Sequence, residues 1–250
     1  MLPSANLSKN QIDRLGDRLR KGETSEDDLR FLDSYRRSFS DAYENVVGQI
    51  RDQLKLEPTG RPAKSTTSII DKLQRENIRL SQMQDIAGCR VVVLDLLSQN
   101  EALDRLTELF DRAAIVDRRE QPSYGYRAVH LIVENSAKLV EVQVRTFLQH
   151  RWAQLSEKLS DVIDSTIKYG GGDQDVVLIL RTMSEKIKSQ EIAEARHAEV
   201  MSSEEGGEEM YHEGMRLPDL MSERLSIIQM LDAIGEVIPR MKGRNDAVFD

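Results

Sequence analysis

Apolar residues recur at helical spacing along much of the N-terminal part of the chain. From Leu29 to Leu54 they stand three or four positions apart, which is the spacing of one helix face. Ser25 and the three acidic residues after it favour a capped helix start. Pro58 ends this run, and the stretch from Ser65 predicts another helix.

Three later segments are short and rich in β-branched residues. Residues 89–94, 128–134 and 139–146 predict strands. Between the first two, Asn100 is expected to cap a helix whose leucines share one side. Helix, strand, helix, strand, strand is an α+β order, so the pattern predicts a mixed sheet with flanking helices.

The chain becomes helical again after Thr146. Apolar spacing predicts helices through residues 152–159, 176–200 and 218–238, with a break at the glycines of 170–172. Residues 202–214 include five glutamates and no lysine or arginine, which predicts a mobile acidic loop.

Composition agrees with one mixed core and helical additions. Hydrophobic residues make up 39% and charged residues 31% of 250, as in a soluble globular protein. We expect an N-terminal helical extension over 1–57, a core over 58–165 and a C-terminal helical region over 166–250. No apolar run has the length of a signal peptide or a membrane span, so the expected location is the cytoplasm.

Charge and cysteine content limit the kinds of metal site and binding partner that the chain can have. Cys89 is the only cysteine, so an internal disulfide is excluded and a metal would be held by oxygen ligands. A formal net charge of −8 disfavours nucleic-acid binding except through a local basic patch.

The segment around residues 61–72 places cations and hydroxyls at a helix entrance. Arg61 and Lys64 precede the predicted N-terminus, while Ser68 and Lys72 share a helix face. Free N–H groups and the positive dipole end of a helix suit phosphate. An ordinary cap followed by solvated charges is the alternative, and the glycine spacing of a Walker A loop is absent.

Two further segments carry carboxylates. Asp85 stands just before a predicted strand, where it could hold a hard cation or simply accept bonds within a turn. In 139–146, alternation places Glu141, Gln143 and Arg145 on one face. That face is either the solvated side of an antiparallel strand or a polar wall suited to phosphoryl-type transfer.

A turn with an aromatic residue precedes the strand at 128–134. Gly125 permits a tight turn, so the Tyr126 ring could project from the surface and stack on a purine base, with His130 near an acceptor phosphate. The alternative is a packing aromatic and a half-buried histidine with its bonds satisfied.

Together and in this order, four blocks resemble the RelA/SpoT nucleotide pyrophosphokinase domain, whose members make ppGpp and pppGpp. The blocks are RPAKSTTSIIDKL, QDIAGCRVVV, GYRAVHLIV and VEVQVRTFLQHRWA, spanning roughly residues 61–153. The resemblance implies a five-stranded mixed sheet flanked by helices, as in nucleotidyltransferases, and a reaction that uses ATP with Mg²⁺.

The resemblance also implies a role for each matching residue. The implied roles are adenine sandwiching by Arg61 and Arg90; ATP phosphate binding by Lys64, Ser68 and Lys72; metal binding by Asp85 and Glu141; proton acceptance by Glu141; base stacking by Tyr126; and acceptor or transferred-phosphate contacts by His130, Gln143 and Arg145. The sequence departs from the family at two places. Arg61 and Lys64 are one residue further apart than is common in the family. Ser123 replaces the lysine of the family's Pro-Lys pair, and the segment before the Gly125 turn is shorter.

Several acceptors and roles remain open at this point. The first hypothesis is transfer to GDP or GTP by a small alarmone synthetase. The second is a toxin-type enzyme that modifies the tRNA 3′ CCA end or makes adenosine alarmones, with an antitoxin as possible partner. A tRNA acceptor predicts a basic track from Arg118 and Arg119 toward Tyr126. The third is an inactive regulatory binding module.

The histidines bear on a second possible activity, and the C-terminal apolar pattern bears on assembly. None of the four histidines is followed by aspartate, so the family's hydrolase motif is missing and no hydrolase activity is expected. The amphipathic run from Leu217 to Met230 could join copies of the chain as a homo-oligomer or pack back on its own domain.

Overall fold

The computed structural model describes residues 8–202 and 216–245. The helices in chain order are α1 Lys9–Lys21, α2 Glu26–Arg37, α3 Ser40–Leu54, α4 Thr66–Arg75, α5 Leu96–Leu109, α6 Phe147–Val162, α7 Gln174–Ser202 and α8 Leu217–Asn245. The strands are β1 Thr59–Arg61, β2 Ala87–Val93, β3 Ala114–Asp117, β4 Val129–Asn135 and β5 Lys138–Thr146. Beyond Ser202, the predicted acidic loop lies outside the described residues.

The five strands form one mixed sheet in the order β1-β2-β5-β4-β3, which confirms the predicted α+β fold. β1 runs antiparallel to β2, with Arg61 opposite Gly88. β4 and β5 are joined at Ser136 and Ala137, whose φ angles of 50° and 59° are those of a two-residue type I′ hairpin turn. All three predicted strands are present within two residues of their expected ends.

Other local expectations need correction. The run from Leu29 to Leu54 is divided between α2 and α3. The sequence pattern did not show this division, because the apolar spacing continues through the bend before Ser40. Asn100 lies inside α5 and caps nothing there, since the Asp95 carboxylate accepts from the Ser98 N–H at 2.8 Å. β1 and β3 were not predicted from the pattern, because both are fully exposed short strands without apolar alternation.

The chain divides into two compact units, and the first holds most of the sheet. It comprises the described residues up to Val91 with Arg105–Val116 and His130–Gln143. Val140 and Val142 of β5 are fully buried, as the predicted alternation requires. Each such side chain contributes about 1.5–3 kcal/mol of hydrophobic stabilisation. Glu141 and Gln143, described below, are thus carried on a strand whose alternate residues are buried.

The second unit is mainly helical. It comprises Val92–Asp104, Asp117–Val129 and the described residues from Val144 onward. α6, α7 and α8 pack around Trp152, whose indole N–H donates to the Leu180 carbonyl at 2.7 Å. Thr146 caps α6 in a reciprocal capping box with Gln149. Among the described helices, none is both long and apolar enough to cross a membrane.

Candidate active site

Asp85 lies between two lysines in the first unit. Lys64 Nζ is 2.7 Å from its Oδ2 and Lys72 Nζ is 2.8 Å from its Oδ1. Lys64 comes from the loop before α4 and Lys72 from the second turn of that helix, while Asp85 precedes β2. All three side chains are about one-fifth exposed. Three residues that the sequence separates therefore form one compact charge cluster.

The two lysines decide the protonation of Asp85. Burial alone would raise its pKa, but the positive charges and hydrogen bonds of Lys64 and Lys72 outweigh burial and lower the pKa to about 2. Asp85 is therefore ionised throughout the physiological pH range.

Glu141 is held by two neighbours on the sheet. Its Oε1 is 2.8 Å from His130 Nδ1 on β4, and its Oε2 accepts from the Gln143 amide at 2.6 Å. Burial and the charge of Asp85 raise the pKa of Glu141, yet the contacts with His130 and Gln143 prevail and leave it below the ordinary value. This carboxylate is also ionised, oriented and able to accept a proton.

The two carboxylates form a donor set that fits a hard cation. Each is ionised, and they lie near enough for the charge of Asp85 to act on Glu141. Within residues 8–202 and 216–245, no three or more His, Cys, Asp or Glu side chains are grouped as a metal site. Two carboxylates with phosphate and water in the remaining positions is the arrangement typical of Mg²⁺.

Two arginines share one face of the sheet edge. Arg61 pairs with Gly88 and Thr59 with Arg90 in the antiparallel ladder, so Arg61 and Arg90 are diagonal neighbours. Such diagonal residues lie about 7–8 Å apart, close to twice the thickness of an aromatic ring. A Cβ on Gly88 would stand 3.0 Å from the Glu141 carbonyl oxygen of β5, so the close approach of β2 and β5 favours a small residue there. The ladder thus places Arg61 and Arg90 on the same face of the sheet.

The entrance of α4 is built as the sequence suggested. Ser65 is the cap, and its hydroxyl accepts from the Ser68 N–H at 3.2 Å and donates to the Ser68 hydroxyl at 2.7 Å. Sequence reasoning missed Arg36 of α2, which donates to the Lys64 carbonyl at 2.6 Å and to Thr66 Oγ1 at 3.2 Å. Arg36 stands in no motif, and only the packing of α2 brings it here.

The turn before β4 lies in the second unit and carries Tyr126. Gly125 has φ +93°, as a tight turn there requires. Tyr126 is half-buried: its ring packs on the helical core, and its hydroxyl accepts from Arg145 Nη2 at 3.0 Å. The Arg145 guanidinium also lies 4.9 Å from the ring centroid. The buried Arg145 covers the ring because its own charge needs a partner away from water.

Ser184, which lies outside the four sequence blocks, helps to hold this turn. Ser184 of α7 donates to the Gly125 carbonyl at 2.6 Å and accepts from Arg127 Nε at 3.1 Å. A Cβ on Gly125 would be 2.8 Å from Trp152 Cζ2. Nothing in the pattern around Ser184 marks it, apart from its place on the apolar face of α7.

Comparison with known proteins gives relatives for both sequence and fold. Residues 60–160 match the family described as a region found in RelA/SpoT proteins. The GTP pyrophosphokinase YjbM of Bacillus subtilis is 31% identical over 183 residues, covering 62% of this chain and 81% of the relative. The crystal structure of small alarmone synthetase 1 from B. subtilis bound to its product pppGpp has a TM-score of 0.52 at 25% identity, covering 72% of this chain and all of that one.

Another relative is longer. The uncharacterised protein Rv1366 of Mycobacterium tuberculosis is 37% identical over 134 residues, covering 52% of this chain and 49% of the relative. The chain thus spans about half the length of the mycobacterial proteins that it matches. The two carboxylates and their lysine and histidine partners all fall within the matched family region, residues 60–160.

Proposed function

This chain belongs to the RelA/SpoT family, and on that basis we propose that it transfers the β,γ-pyrophosphate of ATP to the ribose 3′-hydroxyl of GDP or GTP. The observation that carries the proposal is the pair of ionised carboxylates, Asp85 and Glu141, of which Asp85 is paired with Lys64 and Lys72. The name of the Bacillus relative and the pppGpp bound to the matching structure support the same reaction.

The donor would bind at α4. The helix N-terminus, Lys64 and Lys72 offer positive charge to the triphosphate, and Ser68 offers a hydroxyl. Without ATP, the single Asp85 carboxylate is paired with both lysines and leaves one positive charge uncompensated, which a phosphate group would balance. Arg61 and Arg90 would take the adenine ring between them. Asp85 and Glu141 would hold Mg²⁺, which neutralises charge that develops on the transferred phosphates.

Glu141 would be the general base. The acceptor 3′-oxygen attacks the β-phosphorus, the bond from that phosphorus to the α,β-bridging oxygen breaks, and AMP leaves. The proton of the 3′-hydroxyl would pass to Glu141, whose lowered pKa keeps it deprotonated before the reaction. His130 and Gln143 hold the carboxylate in place, which leaves its proton-accepting oxygen atoms ordered before substrate arrives.

A mononucleotide acceptor is favoured over tRNA by the arginines before the turn. Arg119 bonds both Asp117 oxygens at 3.0 and 2.6 Å, and it also donates to the Asn100 side chain at 2.6 Å. The Nε of Arg118 is buried. A basic track for an RNA backbone would need both side chains presented to solvent.

The test offers four acceptors in parallel. The protein is incubated with Mg²⁺ and ATP labelled at the γ-phosphate, together with GDP, GTP, AMP or deacylated tRNA. We expect label in ppGpp and pppGpp, with a rate that changes little with added salt. Label only in tRNA or in adenosine products would overturn the choice of acceptor, and no label in any product would overturn the proposed activity.

A further inference from the structure

Arg36 of α2 joins the two residues that flank the cap of α4. Its Nε donates to the Lys64 carbonyl at 2.6 Å, and its Nη1 donates to Thr66 Oγ1 at 3.2 Å. Ser65 lies between these two residues and caps the helix by accepting from the Ser68 N–H. All of these residues belong to the first unit. One planar guanidinium group therefore connects α2 to the residues at which α4 begins.

The Arg36 guanidinium is itself oriented. Its side chain is only 20% exposed, and its Nη1 lies 3.3 Å from Oδ1 of Asp33, one turn earlier in α2. A nearby carboxylate restricts a long side chain that otherwise has many rotamers, and hydrogen bonds from a charged donor are stronger than neutral ones. Arg36 is therefore ordered in the protein without any ligand.

The backbone of Lys64 is held on both sides. Its N–H donates to the Ile86 carbonyl at 2.6 Å, and its carbonyl accepts from Arg36. Its Nζ is paired with Asp85, and this is the contact that a phosphate group would share. The place of the Lys64 ammonium relative to a bound phosphate therefore depends on the two backbone contacts, of which Arg36 supplies one.

We infer that Arg36 is a positioning residue for the ATP donor, an inference that rests on the proposed function. Arg36 acts through the Lys64 carbonyl and Thr66, because these protein atoms occupy its Nε and Nη1. It holds the Lys64 ammonium beside the free N–H groups of α4 before ATP binds. The cost of ordering these groups is then met on folding, which leaves more of the contact energy for binding.

Arg20 of α1 provides a matched control at the other end of α4. Its Nε donates to the Leu73 carbonyl at 2.7 Å, and its Nη2 donates to the Ile78 carbonyl. Its side chain is 31% exposed, so both arginines are largely covered and each has two acceptors in or beside α4. Leu73 and Ile78 follow the residues proposed to bind phosphate. Loss of Arg20 should therefore lower stability and leave the donor site in place.

The experiment measures ATP binding in two ways. Steady-state kinetics at saturating GDP give the KM for ATP, and calorimetric titration with Mg²⁺ and a non-hydrolysable ATP analogue gives a Kd. We expect Arg36→Ala to raise both about tenfold or more and to leave the KM for GDP unchanged. Arg20→Ala should lower the urea midpoint as Arg36→Ala does, with both ATP constants close to those of the parent protein. Arg30→Ala, at a position of α2 that is 72% exposed, should change none of these quantities.

Chemical rescue separates positioning from a general loss of stability. Guanidinium ion at millimolar concentration should restore the ATP affinity of Arg36→Ala, because it can occupy the space between Lys64 and Thr66. Arg36→Lys keeps the charge but has one nitrogen for two acceptors, so its KM for ATP should lie between those of the parent protein and Arg36→Ala. It also replaces Arg36→Ala if that variant does not fold. Equal rises of the KM for ATP in Arg20→Ala and Arg36→Ala, without rescue, would overturn the positioning role.

The failures of the two proposals are distinguishable. Equal affinity of the parent protein and Arg36→Ala for the ATP analogue would overturn the positioning role while transfer to GDP continues. A parent protein that binds the analogue but transfers no label would overturn the proposed function, and the affinity of Arg36→Ala would still test Arg36. A parent protein that does not bind the analogue would overturn both.

Discussion

The charge cluster around Asp85 in the first unit and the turn at residues 124–126 in the second are stabilised by different forces. In the cluster, Asp85 satisfies Lys64 and Lys72 across 2.7 and 2.8 Å. In the turn, Ser184 and Trp152 hold Gly125 through a short hydrogen bond and close steric contact. The cluster is stabilised by ion pairs, and the turn is stabilised by a hydrogen bond and by close packing.

The two regions differ in whether a ligand can replace their internal contacts. Ion pairs at a partly exposed site can be replaced by a charged ligand, because phosphate offers the lysines an equivalent partner. A buried hydroxyl and an indole edge have no such substitute, so we expect the turn to keep its shape when a ligand binds. Substitutions in the cluster should therefore act on chemistry and on pH dependence, whereas those in the turn should act on stability and acceptor binding.

The largest expected effect is that of Glu141→Gln in the first unit. Loss of the proton acceptor should lower kcat by about 10³-fold or more, while ATP affinity changes little. Rapid-quench kinetics and ATP titration measure the two quantities. Glu134→Gln, the same change at an exposed position of the neighbouring strand, should be neutral. Full activity of Glu141→Gln would remove Glu141 from the mechanism.

Gly125→Ala tests the packing of the turn. A residue with a Cβ is strained at φ +93°, and the added methyl group would meet Trp152 at 2.8 Å. We expect a loss of about 2–4 kcal/mol in the free energy of unfolding, measured by urea denaturation. Gly48→Ala is the control, since nothing lies near that position inside α3, and it should stabilise by about 0.5–1 kcal/mol. Equal effects of the two changes would argue against a fitted turn.

The ion pairs of Asp85 predict a pH dependence. Its pKa is lowered from 3.8 to about 2 on folding, so its contribution is complete above the unfolded value and is lost as the pH falls from about 4 toward 2. The contribution at neutral pH is about 2 kcal/mol.

Urea denaturation of the parent protein and Asp85→Asn across this range measures the contribution. The difference between the two should be largest near neutral pH and should shrink as the pH falls. Asp104→Asn, on the exposed side of α5, should show a difference near zero at every pH. A difference for Asp85→Asn that does not vary with pH would contradict the lysine pairing.

Ser184→Ala should have the smallest effect. It removes a bond to the Gly125 carbonyl and one from Arg127, and the site is buried. We expect about 1–2 kcal/mol less stability and a KM for the acceptor several-fold higher, with the KM for ATP unchanged. Ser189→Ala, exposed on the same helix, serves as control. A rise in the KM for ATP alone would contradict the expectation that the turn acts on acceptor binding and not on ATP binding.

The sequence predicted the three longest strands and their inner faces well, because buried β-branched residues alternate there without interruption. It failed at the short exposed strands β1 and β3, where no apolar residue is buried and pairing alone defines the strand. It also merged α2 with α3, since helical spacing continues across the bend.

The candidate site shows the same division. Ser65, Lys64, Lys72 and Asp85 stand in recognisable motifs, and their types alone suggest phosphate chemistry. Their mutual ion pairs could not be read from the chain, because Asp85 lies 13 residues from Lys72 in sequence. For Tyr126 the sequence left both an exposed ring and a packing aromatic open, and it did not predict the contact with the buried Arg145.

The order of motifs along the chain was sufficient to specify the family, the sheet and the residue types for binding a triphosphate, because these depend on local spacing and burial. Tertiary packing decided that Asp85 pairs with both Lys64 and Lys72, how Arg36 supports Lys64, and how α7 holds the turn. Those contacts join residues far apart in sequence, where each is favourable only once the intervening chain has been ordered. For the same reason, the residue types for the pyrophosphate donor were readable from motifs, whereas the hydrogen bond from Ser184 to the turn emerged only from the fold.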